Sequence, residues 1–131
     1  RLKFQGVTGN GIARYIQGAV NLNYDAIYNG TPEMESLHMT GANISYQHFW
    51  AKHIHSSLTA GWLGVADNPN LKPSDYKSSF YGSANIFWDA VQNLSFGWEA
   101  LAGQRTNIDG STGSALRLQM NATYKFNHSN K

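Results

Sequence analysis

The stretch ALRLQMNATYKF, Ala115 to Phe126, decides the fold of this chain. Its apolar residues alternate with polar ones, which is the period-two pattern of a β-strand that has different surroundings on its two faces. Burying a polar side chain unpaired in the interior of a small soluble sandwich costs roughly 2–7 kcal/mol. The stretch therefore predicts a strand of a transmembrane β-barrel, with apolar residues toward lipid and polar residues toward a wet lumen. The polar set is Arg117, Gln119, Asn121, Thr123 and Lys125.

The composition of the 131 residues excludes several other classes of protein. Aromatic residues at 13% and charged residues at 14% are not those of a disordered tail. The ten Lys and Arg are scattered singly among eight Asp and Glu, so nucleic acid is not an expected partner. With no cysteine, neither a disulfide framework nor a thiolate metal site is predicted. No apolar run approaches the length of a transmembrane helix, whereas barrel strands are individually too mixed to stand out by hydropathy.

Alternation of the same kind recurs along the chain and predicts an all-β, antiparallel meander of about six strands. We expect strands at 1–8, 37–50, 54–65, 78–90, 94–105 and 115–126. Between the first two, residues 9–36 are bounded by Gly-Asn-Gly and Asn-Gly-Thr-Pro, both strong turn sequences. This segment predicts a long loop, with at most a short strand near 19–24.

The predicted connections alternate between short and long. Short turns are expected near Lys52 and Gln92, and longer loops at 29–36, 67–75 and 107–114. Outer-membrane barrels have this asymmetry, with short periplasmic turns and longer extracellular loops.

Six strands are fewer than the eight of the smallest such barrels. Residues 1–126 are therefore predicted to be the C-terminal portion of a larger barrel, in which the 9–36 loop is extracellular or folded into the pore. Residues 127–131 would form a C-terminal tail. The alternative is a complete small barrel whose long first loop hides two further strands.

Three stretches together point to a family. They are GNGIARYIQG at 9–18, ISYQHFW at 44–50 followed by HSSLTAGW, and SANIFWDAVQNLSFGWEALAGQRTNIDGSTGSALRLQMNATYKF at 83–126. In this order and spacing they resemble the C-terminal part of the DcaP-like porins of Gram-negative bacteria, over most of the chain. The chain differs from that pattern in lacking the N-terminal part of the barrel and in having five residues after Phe126.

The resemblance implies a trimer of sixteen-stranded barrels in the bacterial outer membrane. It further implies passive uptake of small anionic solutes past a positively charged constriction. On this basis Arg14 would lie on a loop that folds toward the pore, and Arg105 and Arg117 would face the lumen.

Arg105 and Arg117 are also the strongest site candidates from the pattern itself. A hairpin centred on Ser111 would place them directly opposite each other on the polar face, where like charges are destabilising unless an anion, a carboxylate or water relieves them. The planar guanidinium is suited to gripping a carboxylate or phosphate. The alternative is that both are solvated residues near the barrel mouth. Glu99 is roughly 20 Å from Arg105 along the strand, so it would balance charge elsewhere in the lumen. Lys125 would also line the lumen.

Trp50, Trp88 and Tyr124 fall near the predicted short-turn ends of their strands. Amphipathic rings favour the headgroup level of a bilayer, so these residues predict an aromatic girdle. The competing interpretation, in which the rings fill a soluble core, is weakened by the polarity of the opposite faces.

The remaining motifs predict no catalysis, metal or cofactor. His48 is expected on the opposite face from His55, and no cysteine or nearby carboxylate joins them. Gly110-Ser111-Thr112-Gly113 is not a nucleophile elbow. The predicted function is passive diffusion of small hydrophilic, anionic solutes, with the lipid bilayer as the other partner. The alternative is a soluble β-barrel or sandwich that binds a small ligand inside.

Overall fold

The computed structural model describes residues 1–20, 22–30 and 33–126, so the predicted tail at 127–131 lies outside the described residues. The chain is all-β, as predicted, with one short 3-10 helix at Ala13–Tyr15. The strands are β1 (Leu2–Asn10), β2 (Ala26–Tyr28), β3 (Met34–Ser36), β4 (His38–Ala51), β5 (Ile54–Val65), β6 (Tyr76–Val91), β7 (Leu94–Asn107) and β8 (Thr112–Tyr124). Within the described ranges, no helix is long and apolar enough to cross a bilayer.

Six strands form one antiparallel sheet in the order β1-β4-β5-β6-β7-β8. The prediction of about six meander strands is therefore confirmed. Each strand pairs with the next along the chain once β2 and β3 are set aside, because short connections between antiparallel strands favour neighbours in sequence. The sheet is open in the part of the chain that is described, since β1 and β8 each have a neighbour on one side only.

The two ends of the sheet differ in their connections. At one end two-residue turns, 52–53 and 92–93, join β4 to β5 and β6 to β7, as predicted. We call this the short-turn end. At the opposite, long-loop end, residues 11–37 and 66–75 form the connections between β1 and β4 and between β5 and β6.

The predicted long loop at 107–114 is wrong, because residues 108–111 form a tight turn. The N–H of Gly110 donates to the carbonyl of Asn107 (3.0 Å), and the N–H of Asn107 donates to the carbonyl of Ser111 (2.9 Å). Gly110 adopts a φ of 82°, in the left-handed region that glycine tolerates best. A turn followed by a left-handed glycine is a common three-residue hairpin connection.

The first loop also differs from its prediction. Gly9 and Asn10 belong to β1, so the loop begins at Gly11. No strand occupies 19–20 or 22–24, where the backbone is turned by a hydrogen bond from the Leu22 N–H to the Ala19 carbonyl (3.0 Å). The loop does contain two strands, β2 and β3, but they are three residues long and pair only with each other. They are not further strands of the six-stranded sheet.

The alternation of the sequence becomes two contrasting sheet faces, because residues opposite each other in a ladder lie on the same side. One face, the apolar face, contains the central row Leu2, Tyr46, Leu58, Ala84, Ala100 and Leu118. The other, the polar face, contains the row Lys3, Ser45, Thr59, Ser83, Leu101 and Arg117.

A small hydrophobic core lies on the polar face at the long-loop end. There the 11–37 loop folds back onto the sheet, and the Gly11 N–H donates to the carbonyl of Leu37 (3.0 Å). The core fixes the loop over one end of the polar face and leaves the rest of that face open. Its buried members are Ala13, Ala19, Leu37, Met39, Leu63, Val65, Leu71 and Tyr76.

Candidate functional site

The structure places Arg105 and Arg117 on the polar face, but it does not place them opposite each other. Arg105 faces Gly113 across the β7–β8 ladder, and Arg117 faces Leu101. Gly113 and Arg117 are four residues apart on β8, about 13 Å at the strand rise. The predicted opposition is wrong because the hairpin is centred on Asp109, two residues before Ser111.

The Arg105 side chain is held in a defined position. Its Nε donates to Oδ1 of Asn107 (2.9 Å), and its guanidinium carbon lies 5.5 Å from the ring centroid of Tyr76. Asn107 in turn donates from Nδ2 to Oγ of Ser111 (3.0 Å). Within the described ranges Arg105 has no ion-pair partner, so a positive charge held in a fixed position lies at the long-loop end of the polar face.

The hairpin turn stabilises this arrangement through Asp109. One carboxylate oxygen of Asp109 accepts hydrogen bonds from the hydroxyl and the backbone N–H of Ser111. These two bonds lower the pKa of Asp109 below its ordinary value, because they favour the charged carboxylate. The bond from the hydroxyl has the larger effect. The turn that orients Asn107, and through it Arg105, thus depends on an ionised aspartate.

Arg117 lies on the edge strand β8, exposed and without an ion pair in the described part of the chain. It lines a shallow groove of about 300 Å³ that also contains Glu99 and Gln119. Gln119 stands opposite Glu99 and donates a hydrogen bond to its carboxylate. Glu99 is thereby hydrogen-bonded by an amide and forms no ion pair with Arg117, although both side chains line the groove.

Two other predicted pore residues occupy different surroundings. Arg14 lies in the 3-10 helix of the first loop, where its Nε is 3.2 Å from Oδ2 of Asp25, so its charge is paired inside the loop. Lys125 follows the last residue of β8, and its backbone N–H donates to the carbonyl of Asn93 (2.9 Å) at the short-turn end.

The predicted girdle residues share the short-turn end of the apolar face. Trp50 donates a hydrogen bond from Nε1 to Oγ of Ser56 (2.9 Å), and Ser56 lies on the apolar face. Trp88 stacks on Phe96 with ring centroids 5.9 Å apart. Tyr124, the last residue of β8, lies opposite Leu94.

A second aromatic row, which the sequence interpretation missed, lies at the other end of the apolar face. Trp62 and Phe80 stand opposite each other on β5 and β6, both about half exposed. Phe80 and Trp88 are eight residues apart on β6, about 26 Å at the strand rise. The sequence contained the signal for this row, since Phe80 and Trp88 are an even number of residues apart in one predicted strand and therefore lie on the same face.

The apolar face carries no Lys, Arg, Asp or Glu in the paired rows of the described sheet. Three of its large side chains on β8, Leu116, Leu118 and Met120, are 73%, 76% and 80% exposed. Besides the central row given above, its rows include Phe4-Ile44-Ala60-Gly82-Ala102-Leu116, Gly6-Ala42-Trp62-Phe80-Gln104-Ser114, His48-Ser56-Ile86-Trp98-Met120 and Ala51-Ile54-Trp88-Phe96-Ala122. The row Thr8-Thr40-Gly64-Ser78-Thr106-Thr112 at the long-loop end is polar but uncharged.

The histidines near the first short turn are separated by the sheet, as predicted. His48 lies on the apolar face with its ring centroid 4.4 Å from that of Trp50. His55 lies on the polar face and stacks on Phe87 at 5.2 Å. Among the residues described, no group of three His, Cys, Asp or Glu is placed to hold a metal ion.

No family model, curated protein or solved structure matches this chain. The two faces of the sheet differ in charge and exposure. One is uncharged, exposed and bordered by aromatic rings. The other is polar and carries two arginines that form no ion pair among the described residues and can attract an anion.

Proposed function

We propose that residues 1–126 are part of the wall of a transmembrane β-barrel in a bacterial outer membrane. The barrel acts as a DcaP-like porin, through which small hydrophilic, anionic solutes diffuse passively. The observation that carries the proposal is the apolar face, which is six strands wide, uncharged and exposed.

The exposure of this face favours lipid over water as its surroundings. Soluble monomers rarely expose a contiguous apolar patch larger than a few hundred Å². Here large side chains such as Ile44, Leu58 and Ile86 are 43–59% exposed in the middle of the sheet. In a bilayer the same side chains face hydrocarbon at no cost, as in the outward faces of outer-membrane barrels.

The spacing of the aromatic rows supports the same proposal. The rows at Phe80 and Trp88 are about 26 Å apart along β6. With a strand tilt of about 35–45°, their separation along the membrane normal is about 20 Å, close to the apolar band of about 25 Å in such barrels. Aromatic rings at both interfaces are typical of transmembrane barrels.

Closure of the barrel requires strands beyond those in this chain. The outer edges of β1 and β8 would leave N–H and C=O groups unpaired in hydrocarbon, where each unpaired group costs several kcal/mol. Six strands therefore require partners on both edges. The resemblance to DcaP-like porins suggests a sixteen-stranded barrel that assembles as a homotrimer.

The polar face supports anion preference. Arg105 and Arg117 lie on the polar face and form no ion pair among the described residues, so both guanidinium groups remain available to an anion. Charged side chains that line a pore select solutes through their field and through pore size. The pore would therefore favour anions without any chemical step.

Planar-bilayer recordings of the intact protein test this function. The wild-type channel should give a reversal potential in a salt gradient that indicates anion preference, and Arg105→Ala and Arg117→Ala should each shift it toward cation permeability. Lys52→Ala is the matched control, because it removes one charge from a short turn outside the sheet. An unchanged permeability ratio in both arginine variants would remove these residues from the mechanism. A protein that stays monodisperse without detergent and forms no channels would favour the soluble ligand-binding alternative.

A further inference from the structure

A second groove lies on the polar face, between that face and residues 15–18 of the first loop. Its volume is about 910 Å³, within the range of small-molecule sites. Its lining contains no Lys, Arg, His, Asp or Glu. The polar side chains that it draws from the strands are Gln5, Asn43, Ser45, Thr59, Ser79 and Tyr81, which offer only amides and hydroxyls.

Glycine and the packed loop together create the space. Gly61 faces Asn43 on one side and Tyr81 on the other, so three neighbouring strands have a gap where a side chain would project. A Cβ at Gly61 would lie 3.6 Å from the Tyr81 ring and 3.7 Å from the Asn43 Cβ, which is ordinary contact. Residues 15–18 of the first loop cover the groove, and they are held in place by the buried residues Ala13 and Ala19 on either side of them.

A fixed cation adjoins the groove. Ser79, which lines it, stands directly opposite Arg105 on β7. The hydroxyl of Tyr76 is 2.7 Å from Oγ of Ser79, and the Tyr76 ring lies beside the guanidinium. The Nε of Arg105 is used by Asn107, which leaves its two terminal nitrogens without a hydrogen-bond partner among the described residues. A second cation, Lys3, stands opposite Ser45 on the edge strand β1.

We propose that this groove and Arg105 form a subsite for a small hydroxylated carboxylate of the sugar-acid class. The proposal rests on the porin function and names its solute. The carboxylate binds the terminal nitrogens of Arg105, and the hydroxyls bind the amides and hydroxyls of the groove. Guanidinium–carboxylate pairs are among the stronger hydrogen-bonded contacts in proteins. A site that binds substrate hydroxyls rejects an analogue lacking them, since its own polar groups are then left unpaired.

Block of single-channel current by three probes of similar size tests the subsite in the intact channel. Gluconate carries both the carboxylate and the hydroxyls, glucose lacks the carboxylate, and hexanoate lacks the hydroxyls. We expect gluconate to reduce the current at a concentration about tenfold lower than glucose, the effect of one charge-assisted hydrogen bond. We also expect it to act at a concentration about tenfold lower than hexanoate, the effect of one or two hydrogen bonds to its hydroxyls.

The variants separate the two parts of the subsite. Arg105→Gln should remove the advantage of gluconate over glucose, while Lys52→Gln, an equal charge change in a short turn outside the sheet, should keep it. Asn43→Ala and Gly61→Val should remove the advantage of gluconate over hexanoate. Gly82→Val is the control for the glycine change, since its Cβ would project from the apolar face with its nearest neighbour 3.8 Å away.

The outcomes distinguish this inference from the porin function. Equal block by gluconate, glucose and hexanoate in a conducting channel overturns the subsite and leaves the porin intact. Retention of the preference for gluconate over glucose in Arg105→Gln, or its equal loss in Lys52→Gln, overturns the assignment of Arg105, and an unchanged preference in both Asn43→Ala and Gly61→Val overturns that of the groove. Absence of channels in the wild-type protein refutes the porin function itself.

Discussion

Replacing Leu118 by arginine should distinguish a lipid-facing surface from a water-facing one. Leu118 lies on the apolar face in the same row as Ala84, which is four residues from both Phe80 and Trp88. That position is about 13 Å along the strand from either aromatic row. With a strand tilt of about 35–45°, it lies about 10 Å from each interface, at the midplane of the proposed bilayer.

The magnitude follows from the surroundings of the side chain. Arginine on the lipid face at the midplane of a barrel destabilises by about 2–4 kcal/mol, and near the interface by about 0–1 kcal/mol. In water, Leu118 is 76% exposed, so the same substitution would change the free energy of unfolding by only about 0.5 kcal/mol. Leu118→Arg should thus be strongly destabilising only if this face contacts hydrocarbon.

Reversible urea unfolding of the intact protein in phospholipid vesicles, followed by tryptophan fluorescence, measures the difference. Gln119→Arg is the matched control, because residue 119 is next in sequence but lies on the polar face, opposite Glu99. Tyr124→Arg places the same charge at the short-turn end, and Leu118→Ala accounts for the lost leucine. With a denaturant slope of about 1–3 kcal/mol per molar, Leu118→Arg should lower the midpoint by about 1–2 M relative to Gln119→Arg. Equal midpoints for the two arginine variants would refute a lipid-facing surface.

Two further predictions concern the polar face and its hairpin. Gly97→Ala should destabilise by about 1–3 kcal/mol, since a Cβ there would lie 2.5 Å from Oδ1 of Asn121 and 2.6 Å from the Phe87 ring. Gly113→Ala, with nothing within 4 Å of the added atom, is its control in the same unfolding assay, and equal stability would contradict the packing described. Because folding lowers the pKa of Asp109, its carboxylate stabilises the folded protein at pH values above the ordinary pKa of 3.8. This contribution is lost as the pH falls through the lowered pKa. Asp109→Asn should therefore reduce the loss of stability on acidification below about pH 4, and an unchanged acid titration of unfolding would exclude this role.

The strands and faces were predictable from sequence because two short-range features encode them. Alternation assigns each side chain to a face, and turn residues bound the strands, so β5 was predicted with its observed limits, Ile54 and Val65. Register was not predictable in the same way. Moving the hairpin centre from Ser111 to Asp109 shifts the β7–β8 pairing by four residues, which keeps every side chain on its face. Arg105 and Arg117 were thus assigned to the correct face but to the wrong partners.

The first loop was less predictable because its structure depends on tertiary contacts. Its path is fixed by burial of residues such as Ala13 and Ala19 against the sheet, and alternation does not encode such contacts. Arg14 pairs with Asp25, eleven residues away, and no local pattern indicates that ion pair. The groove beneath the loop and its proximity to Arg105 follow from the same packing, so no sequence pattern indicates them.

Quenching of tryptophan fluorescence by lipid reports whether the apolar face contacts hydrocarbon. All four tryptophans, Trp50, Trp62, Trp88 and Trp98, lie on the apolar face and are 43–66% exposed. In vesicles of lipids brominated on their acyl chains, a membrane-spanning sheet predicts strong quenching of their fluorescence, with little quenching by aqueous iodide. Efficient quenching by iodide, with no effect of the brominated lipids, would show that the apolar face contacts water and refute a membrane-spanning sheet.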